Sequence, residues 1–256
     1  MTPNILVTGA AGTLGSAVVE QLAERGIAYA GAGRSAAPAH FFGDWHRLDL
    51  VSGGGVLEAL QDRTGVVHCA TNVANPELDL VVLRRLVEFA RYRDLHIVFI
   101  GIAGIEAAAR HLPYYRMKLA CEQTLRESGV PHSIVRATQF HDFVSLLFGR
   151  LLSGPFLFLP RMTLQPVDVR HVASVVADTA LGPPGRYAET CGPEVLDART
   201  LARIWLAARR RSALRVPLPA LGPFAAMAAL TRSDGSTGGQ SWQEWNRWHH
   251  RLPEIG

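Results

Sequence analysis

Lysine is nearly missing from this 256-residue chain: 25 of its 26 basic residues are arginine, and the one lysine stands at position 118. Cysteine is scarce too. Cys69, Cys121 and Cys191 lie 52 and 70 residues apart. No C-x-x-C or Cys/His ligand spacing exists, which argues against structural zinc and against a disulfide scaffold. Long apolar runs are also absent. Phe143 to Pro160 is interrupted by Arg150, Gly154 and two prolines, and Val216 to Leu230 holds three prolines in its first eight residues. Neither offers the roughly 20 uninterrupted apolar residues of a membrane span. Met1-Thr2-Pro3-Asn4 brings no basic run before an apolar stretch, so no signal peptide is expected. These absences predict a cytoplasmic protein in a reducing compartment, with no membrane partner and no bound metal.

Hydrophobic residues make up 48% and charged residues 19%, the balance of a well-filled globular core. The formal net charge of +4 raises the question of nucleic acid. The dense basic cluster, Arg209-Arg210-Arg211 with Arg199, Arg203 and Arg215, belongs to no recognisable nucleic-acid module. It reads as the solvated face of a helix starting at Asp197, and no nucleic-acid partner is expected.

Short β-branched runs alternate with helical periods through the first two-thirds. Asn4–Val7, Ile27–Ala32, a short run ending at Arg47–Leu50, Val66–Cys69, His96–Ile100 and His132–Val135 read as strands. Leu14, Val18, Val19 and Leu22 recur at helical spacing. Val56, Leu57 and Leu60 mark another helix. Asn75 reads as a cap with Pro76 first in its helix, and Glu77 and Asp79 suit the dipole of that first turn. Pro113 opens a further helix. Strands that are apolar throughout are covered on both faces, as in a doubly wound parallel α/β sheet, the Rossmann fold. Later, Phe143–Leu152 and the stretch from Asp168 to Leu181 read as helices, and Gly185–Cys191 as a late strand. Trp242, Trp245 and Trp248 read as a helix face packed on the domain. The expected organisation is one domain over 1–256, with approximately 138–165 and 190–256 forming a smaller interleaved region on the substrate side.

Thr8-Gly9-Ala10-Ala11-Gly12-Thr13-Leu14-Gly15 is G-x-x-G-x-x-G between the first strand and its helix. Glycines there permit a tight turn and close backbone approach to a pyrophosphate, and the helix N-terminus supplies free N–H groups. The end of the second strand sets cofactor choice. No acid occurs from Tyr29 to Ala39, where an NAD enzyme usually carries Asp or Glu for the ribose hydroxyls. Arg34 and Ser35 stand there instead, suited to a 2′-phosphate. NADP(H) is therefore preferred and NAD(H) possible. Asp49 is either an acceptor for the adenine amino group or a turn aspartate. The expected cofactor set is Gly9, Ala11, Gly12, Thr13, Leu14, Gly15, Arg34, Ser35, Asp49, Leu50, Ala70, Thr71 and Lys118.

Tyr114-Tyr115-Arg116-Met117-Lys118 contains Y-x-x-x-K, with the phenol and the ammonium one helical turn apart. A nearby ammonium favours phenolate and makes a phenol a better proton donor and acceptor at neutral pH. With the glycine loop, this resembles the short-chain dehydrogenase/reductase superfamily. The segments Phe99–Ile105, Tyr114–Glu122, Arg136-Ala137-Thr138-Gln139-Phe140-His141 and Val167–Ala173 are similar to its atypical NmrA-like branch. The resemblance implies that Tyr114 and Lys118 are catalytic. It places Gly101 where that superfamily carries a substrate-holding serine, so either Thr138, Gln139 or His141 substitutes or carbonyl reduction is weak or absent. Thr138, Gln139, Phe140, His141 and Phe143 are the expected substrate residues, although a lone histidine between phenylalanines is also an ordinary buried imidazole. The expected function is reduction of a carbonyl, imine or activated alkene of a small, mostly apolar substrate by a monomer or homodimer. The alternatives are an NADP-sensing regulator without turnover, which the branch also contains, and a redox-neutral isomerase or epimerase.

Overall fold

Strand follows helix from the first residues onward. The computed structural model describes residues 2–230 and 235–249. The chain begins with β1 (Asn4–Thr8), α1 (Thr13–Glu24), β2 (Ala28–Gly33), β3 (Asp44–Arg47), α2 (Val56–Ala59), β4 (Gly65–His68), α3 (Glu77–Arg91) and β5 (His96–Ile102). It continues with α4 (Ile105–Ala108), α5 (Pro113–Glu127), β6 (His132–Ala137), α6 (His141–Leu151), β7 (Leu152–Ser153), β8 (Phe156–Pro160), β9 (Thr163–Leu164) and α7 (Val169–Leu181). The remainder is β10 (Tyr187–Cys191), β11 (Leu196–Asp197), α8 (Ala198–Ala208), β12 (Leu214–Leu218), α9 (Pro223–Ala229), β13 (Ser236–Thr237) and α10 (Trp242–Trp248).

The main sheet has eight strands in the order β13-β10-β6-β5-β4-β1-β2-β3, and β1 pairs in parallel with both β2 and β4. From β1 the chain moves outward to β3, then returns to β4 on the other side of β1. That reversal makes β1/β4 the topological switch point, where open α/β sheets bind their ligands. Val66 and Val67 of β4 are fully buried, as a strand covered on both faces requires.

Two compact units are built from interleaved segments. The first comprises Met1–Gly101, Pro113–Arg136 and Val172–Ala188. Its core joins Leu6, Val66, Ile97 and Phe99 of the sheet to Val82, Leu83, Leu86 and Val87 of α3 and Cys121 and Leu125 of α5. The α3 positions recur every three or four residues, which turns one stripe of that helix onto the sheet. The second unit comprises Ile102–Leu112, Ala137–His171 and Glu189–Gly256. It carries a three-stranded sheet, β12-β8-β7, and a β11-β9 pair. Its core gathers Phe148, Leu157, Leu201, Trp205, Trp242 and Trp245. The indole N–H groups find acceptors, Trp205 on Ser145 Oγ at 2.9 Å and Trp242 on the Leu201 carbonyl at 3.0 Å. Asp197 caps α8 by accepting from the Thr200 N–H, and Ser241 with Glu244 forms a capping box on α10.

Four local expectations are corrected. The helix expected around Val56 is a single turn with Leu57 exposed, because Gly53-Gly54-Gly55 precedes it. The third strand ends at Arg47, before Leu48–Leu50. Pro76 sits at the cap of α3 and Glu77 is its first residue. Trp242 and Trp245 pack as expected, but Trp248 is 76% exposed: three residues per step drifts off a helix face that repeats every 3.6.

Candidate cofactor and active site

The glycine loop closes the β1/β4 switch point. Gly9 has φ +68°, and a Cβ there would stand 2.7 Å from the Ala70 nitrogen in the loop after β4. A Cβ on Gly15 would overlap the Gly9 carbonyl oxygen, so the first turn of α1 can lie against the loop only with glycine. No side chain caps α1, whose N-cap is Gly12, so its leading N–H groups are left for a ligand. Ala11, Gly12 and Thr13 are exposed there, while Leu14 is buried. These residues fit a dinucleotide pyrophosphate.

At the end of β2 the Arg34 and Ser35 side chains are exposed while their backbones are held. Arg47 Nε donates to the Arg34 carbonyl at 3.1 Å, and Trp45 Nε1 to the Ser35 carbonyl at 3.0 Å. A second guanidinium thus accompanies Arg34, and the β2–β3 register, Gly33 opposite Arg47, puts it there. Sequence reasoning missed Arg47 because its strand partner is fourteen positions away. Asp49 Oδ1 accepts from the Val51 N–H at 2.9 Å, and that bond, ahead of Ser52 and Arg34, holds its carboxyl below the ordinary range. Leu50 is buried.

Tyr114 and Lys118 lie one turn apart on α5. Tyr114 is half-buried and its ring centroid is 5.6 Å from that of buried Tyr115. Burial, then Tyr114, pushes the Tyr115 phenol up to about 12. The lone lysine is inside the protein. Its side chain is 6% exposed, 4.9 Å above the Phe99 ring, and its Nζ is 3.7 Å from Asp79 Oδ2. Asp79 also accepts from the Thr71 hydroxyl and from the Asn72 N–H at 2.7 Å. One carboxylate therefore ties α3, α5 and the loop after β4 together. The Lys118 charge reaches His68 and Cys69. Burial first, and Lys118 second, lowers His68 to about 3, so its imidazole is neutral and shares a 2.8 Å hydrogen bond with Thr8 Oγ1. Burial raises the Cys69 thiol to about 12 against the pull of Lys118. Asp79 was read as a first-turn carboxylate suited to the helix dipole; nothing in the local spacing shows that it faces another helix.

A family model described as NAD(P)H-binding matches residues 9–146, from the glycine loop through α5 and into α6. The chain belongs to this NAD(P)H-binding family. Among curated protein sequences none matches it. Solved structures share its fold at low identity. A nucleoside-diphosphate-sugar epimerase from Staphylococcus aureus is 19% identical over 95% of this chain and 99% of its own, with a TM-score of 0.77. The UDP-glucose 4-epimerase of Thermus thermophilus, solved with NAD, is 21% identical over 99% and 94%, at 0.71. The triphenylmethane reductase of Citrobacter sp., solved with NADP(H), is 18% identical over 98% and 97%, at 0.73. The fold is that of short-chain dehydrogenases/reductases and epimerases.

In this family member Gly101 faces a buried ion pair. Arg136 donates to Glu122 through Nε at 2.9 Å and Nη2 at 2.6 Å, with both side chains at most 5% exposed. A Cβ on Gly101 would overlap Glu122 Oε1 and stand 3.0 Å from Arg136 Cγ. Glu122 is two turns beyond Tyr114, roughly 12 Å along α5. Position 101 is glycine because that pair fills its side-chain space.

The expected substrate residues belong to the second unit. Thr138, Gln139 and His141 are buried, Phe140 is the N-cap of α6, and Phe143 is 43% exposed. Gln139 Oε1 accepts from the Gln165 N–H at 3.3 Å. Thr138 Oγ1, Gln139 Nε2 and His141 Nδ1 are buried without a hydrogen-bond partner. His141 Nε2 bonds the Gln240 carbonyl at 2.9 Å, its ring packs on Trp242 and Trp245, and burial lowers it. Among the described residues no cluster of His, Cys, Asp and Glu could hold a metal ion. No described helix is long and apolar enough to cross a membrane.

Proposed function

We propose that this chain is an NADP(H)-dependent oxidoreductase acting on a carbonyl, imine or activated alkene of a small, mostly apolar substrate. The observation that carries the reading is Lys118: a buried ammonium, anchored by Asp79, one turn after Tyr114 and with its charge felt at the end of β4. Holding a cation inside a protein is costly unless it is paired, and a position one helical turn after a tyrosine gives that cost a use. The bound nicotinamide supplies hydride. Tyr114 delivers the proton to the substrate oxygen or nitrogen. Lys118 would offer N–H donors to the nicotinamide ribose. The glycine loop and the N-terminus of α1 hold the pyrophosphate. Arg34, with Arg47 bound to its carbonyl, supports the choice of NADP(H), since a guanidinium suits a 2′-phosphate and no acid occurs from Tyr29 to Ala39. Thr138, Gln139, Phe140, His141 and Phe143 are proposed to shape the substrate side.

Gly101 supports a second reading, a nicotinamide-nucleotide sensor without turnover, because position 101 offers no side-chain donor. The two are separated by following NADPH oxidation over a panel of quinones, enones, imines and ketones, in wild type and Tyr114→Phe. The reductase predicts an active substrate whose turnover falls at least a hundredfold in Tyr114→Phe with NADPH affinity retained. Full turnover in Tyr114→Phe removes the phenol from the mechanism, and NADPH binding with no turnover across the panel favours the sensor.

A further inference from the structure

The basic cluster noted in the sequence has a place in the second unit that the nicotinamide reading does not use. That unit carries thirteen arginines against nine carboxylates, whereas the first balances thirteen cations with thirteen carboxylates. Between α8 and α10 lies a cavity of about 700 Å³ lined by Arg203, Arg209, Arg210, Gln243, Asn246 and Arg247, and no carboxylate lines it among the described residues. The acids beside these helices spend their hydrogen bonds on caps, although the Glu244 carboxylate also feels Arg247. Glu244 accepts from the Ser241 N–H and hydroxyl, both at 2.8 Å, and Asp197 holds Thr200.

Two of the arginines are placed at a cost. Arg209 is held over the Trp205 ring at 4.5 Å and donates to neutral acceptors: the Trp205 and His249 carbonyls, Asn246 Oδ1 at 2.8 Å and Ser145 Oγ at 3.0 Å. Its Nε is buried without a partner. A guanidinium so fixed and half-buried, with only neutral acceptors on its N–H groups, contributes positive charge that none of its hydrogen-bond partners neutralises. Arg210 is left-handed, φ +49°. It follows the C-cap of α8, where the Arg210 N–H bonds the Ala207 carbonyl and the Arg211 N–H the Leu206 carbonyl. Glycine is the ordinary residue at that position, and arginine there is strained.

We propose that this groove is an anion site for a small ligand carrying a diphosphate or a pair of neighbouring phosphates. Guanidinium forks match phosphate oxygens two at a time. The cavity falls within the range of about 300–1,000 Å³ typical of small-molecule sites. The seven-residue α10 is only roughly 10 Å long, which suits a compact polyanion better than a nucleic-acid strand.

The test is calorimetric titration of inorganic pyrophosphate into the full chain, already saturated with whichever of NADP⁺ or NAD⁺ binds more tightly, so that the glycine loop is filled. Wild type should bind pyrophosphate with the glycine loop filled. The double variant Arg203→Gln/Arg247→Gln should lose at least tenfold in affinity. Arg210→Gly should bind more weakly although it unfolds at a higher denaturant concentration, a combination that misfolding cannot produce. No pyrophosphate binding by wild type, or equal binding by the double variant, overturns the proposal. So does tighter binding of a single-stranded oligonucleotide through the same arginines, which would give the groove to nucleic acid.

Discussion

Removing either member of the Asp79–Lys118 pair should leave a buried charge with no counterion. At 3.7 Å and an effective dielectric of about 20, the gross attraction is roughly 4–5 kcal/mol. Both side chains are 6% exposed, so solvent screening takes little of this. Desolvation offsets much of it in the intact protein, but a single truncation of a buried pair costs about 3–5 kcal/mol. Asp79→Leu also strips the hydrogen bonds to Thr71 and Asn72, which makes its total loss a poor measure of the pair. A double-mutant cycle with Lys118→Met removes that complication, because the Thr71 and Asn72 losses occur with or without the lysine. Urea unfolding of the four proteins, with m-values compared, should give a coupling of about 2–4 kcal/mol, the double variant being markedly more stable than the two single losses imply. A coupling below about 0.5 kcal/mol would refute the idea that Asp79 is what makes an internal Lys118 tolerable.

Three further predictions follow from other residues. His68 is near 3 in the folded state against 6.5 unfolded, so the unfolded chain binds the extra proton between those values; stability is full above 6.5 and falls as the pH drops, by about 2 kcal/mol from 6.5 to 5. His68→Gln should flatten that slope in urea titrations at several pH values, and an unchanged slope would exonerate His68. Gly101→Ser should not create a better reductase but should destabilise by about 1–3 kcal/mol through overpacking against Glu122, which thermal unfolding would show; a neutral substitution would mean the space is there. Arg34→Ala should weaken NADPH by about 1.5–3 kcal/mol and leave NADH nearly unchanged, with equal losses for both cofactors counting against the 2′-phosphate assignment.

What could be read from the sequence was whatever depends on neighbours along the chain. The glycine loop was legible because its three glycines, strand and helix are contiguous, and β1, β4, β5 and β6 because parallel, doubly covered strands are apolar runs. An amphipathic run also marked α6, and the aspartates Asp168 and Asp197 marked the starts of α7 and α8. The small sheet was missed. β8 pairs in parallel with β12 some sixty residues later, and each contains a proline that argues against a strand. Arg47 and Asp79 were missed for the same reason: each owes its role to a partner on another element, and no spacing rule reports a contact made through the fold.

The solitary, interior Lys118 makes the protein its own reporter. Amine-directed acylating reagents meet no other side-chain amine, so modification of this one measures how often the region around α5 opens. A lysine-specific protease has a single bond to cut, after Lys118 in the middle of a helix, and can reach it only in molecules that have opened. Cleavage yields two pieces, 1–118 and 119–256, and where reclosing outpaces cleavage the initial rate at which their ratio to intact chain grows tracks the open population. A bound dinucleotide that stabilises this region should lower that ratio in proportion to its occupancy.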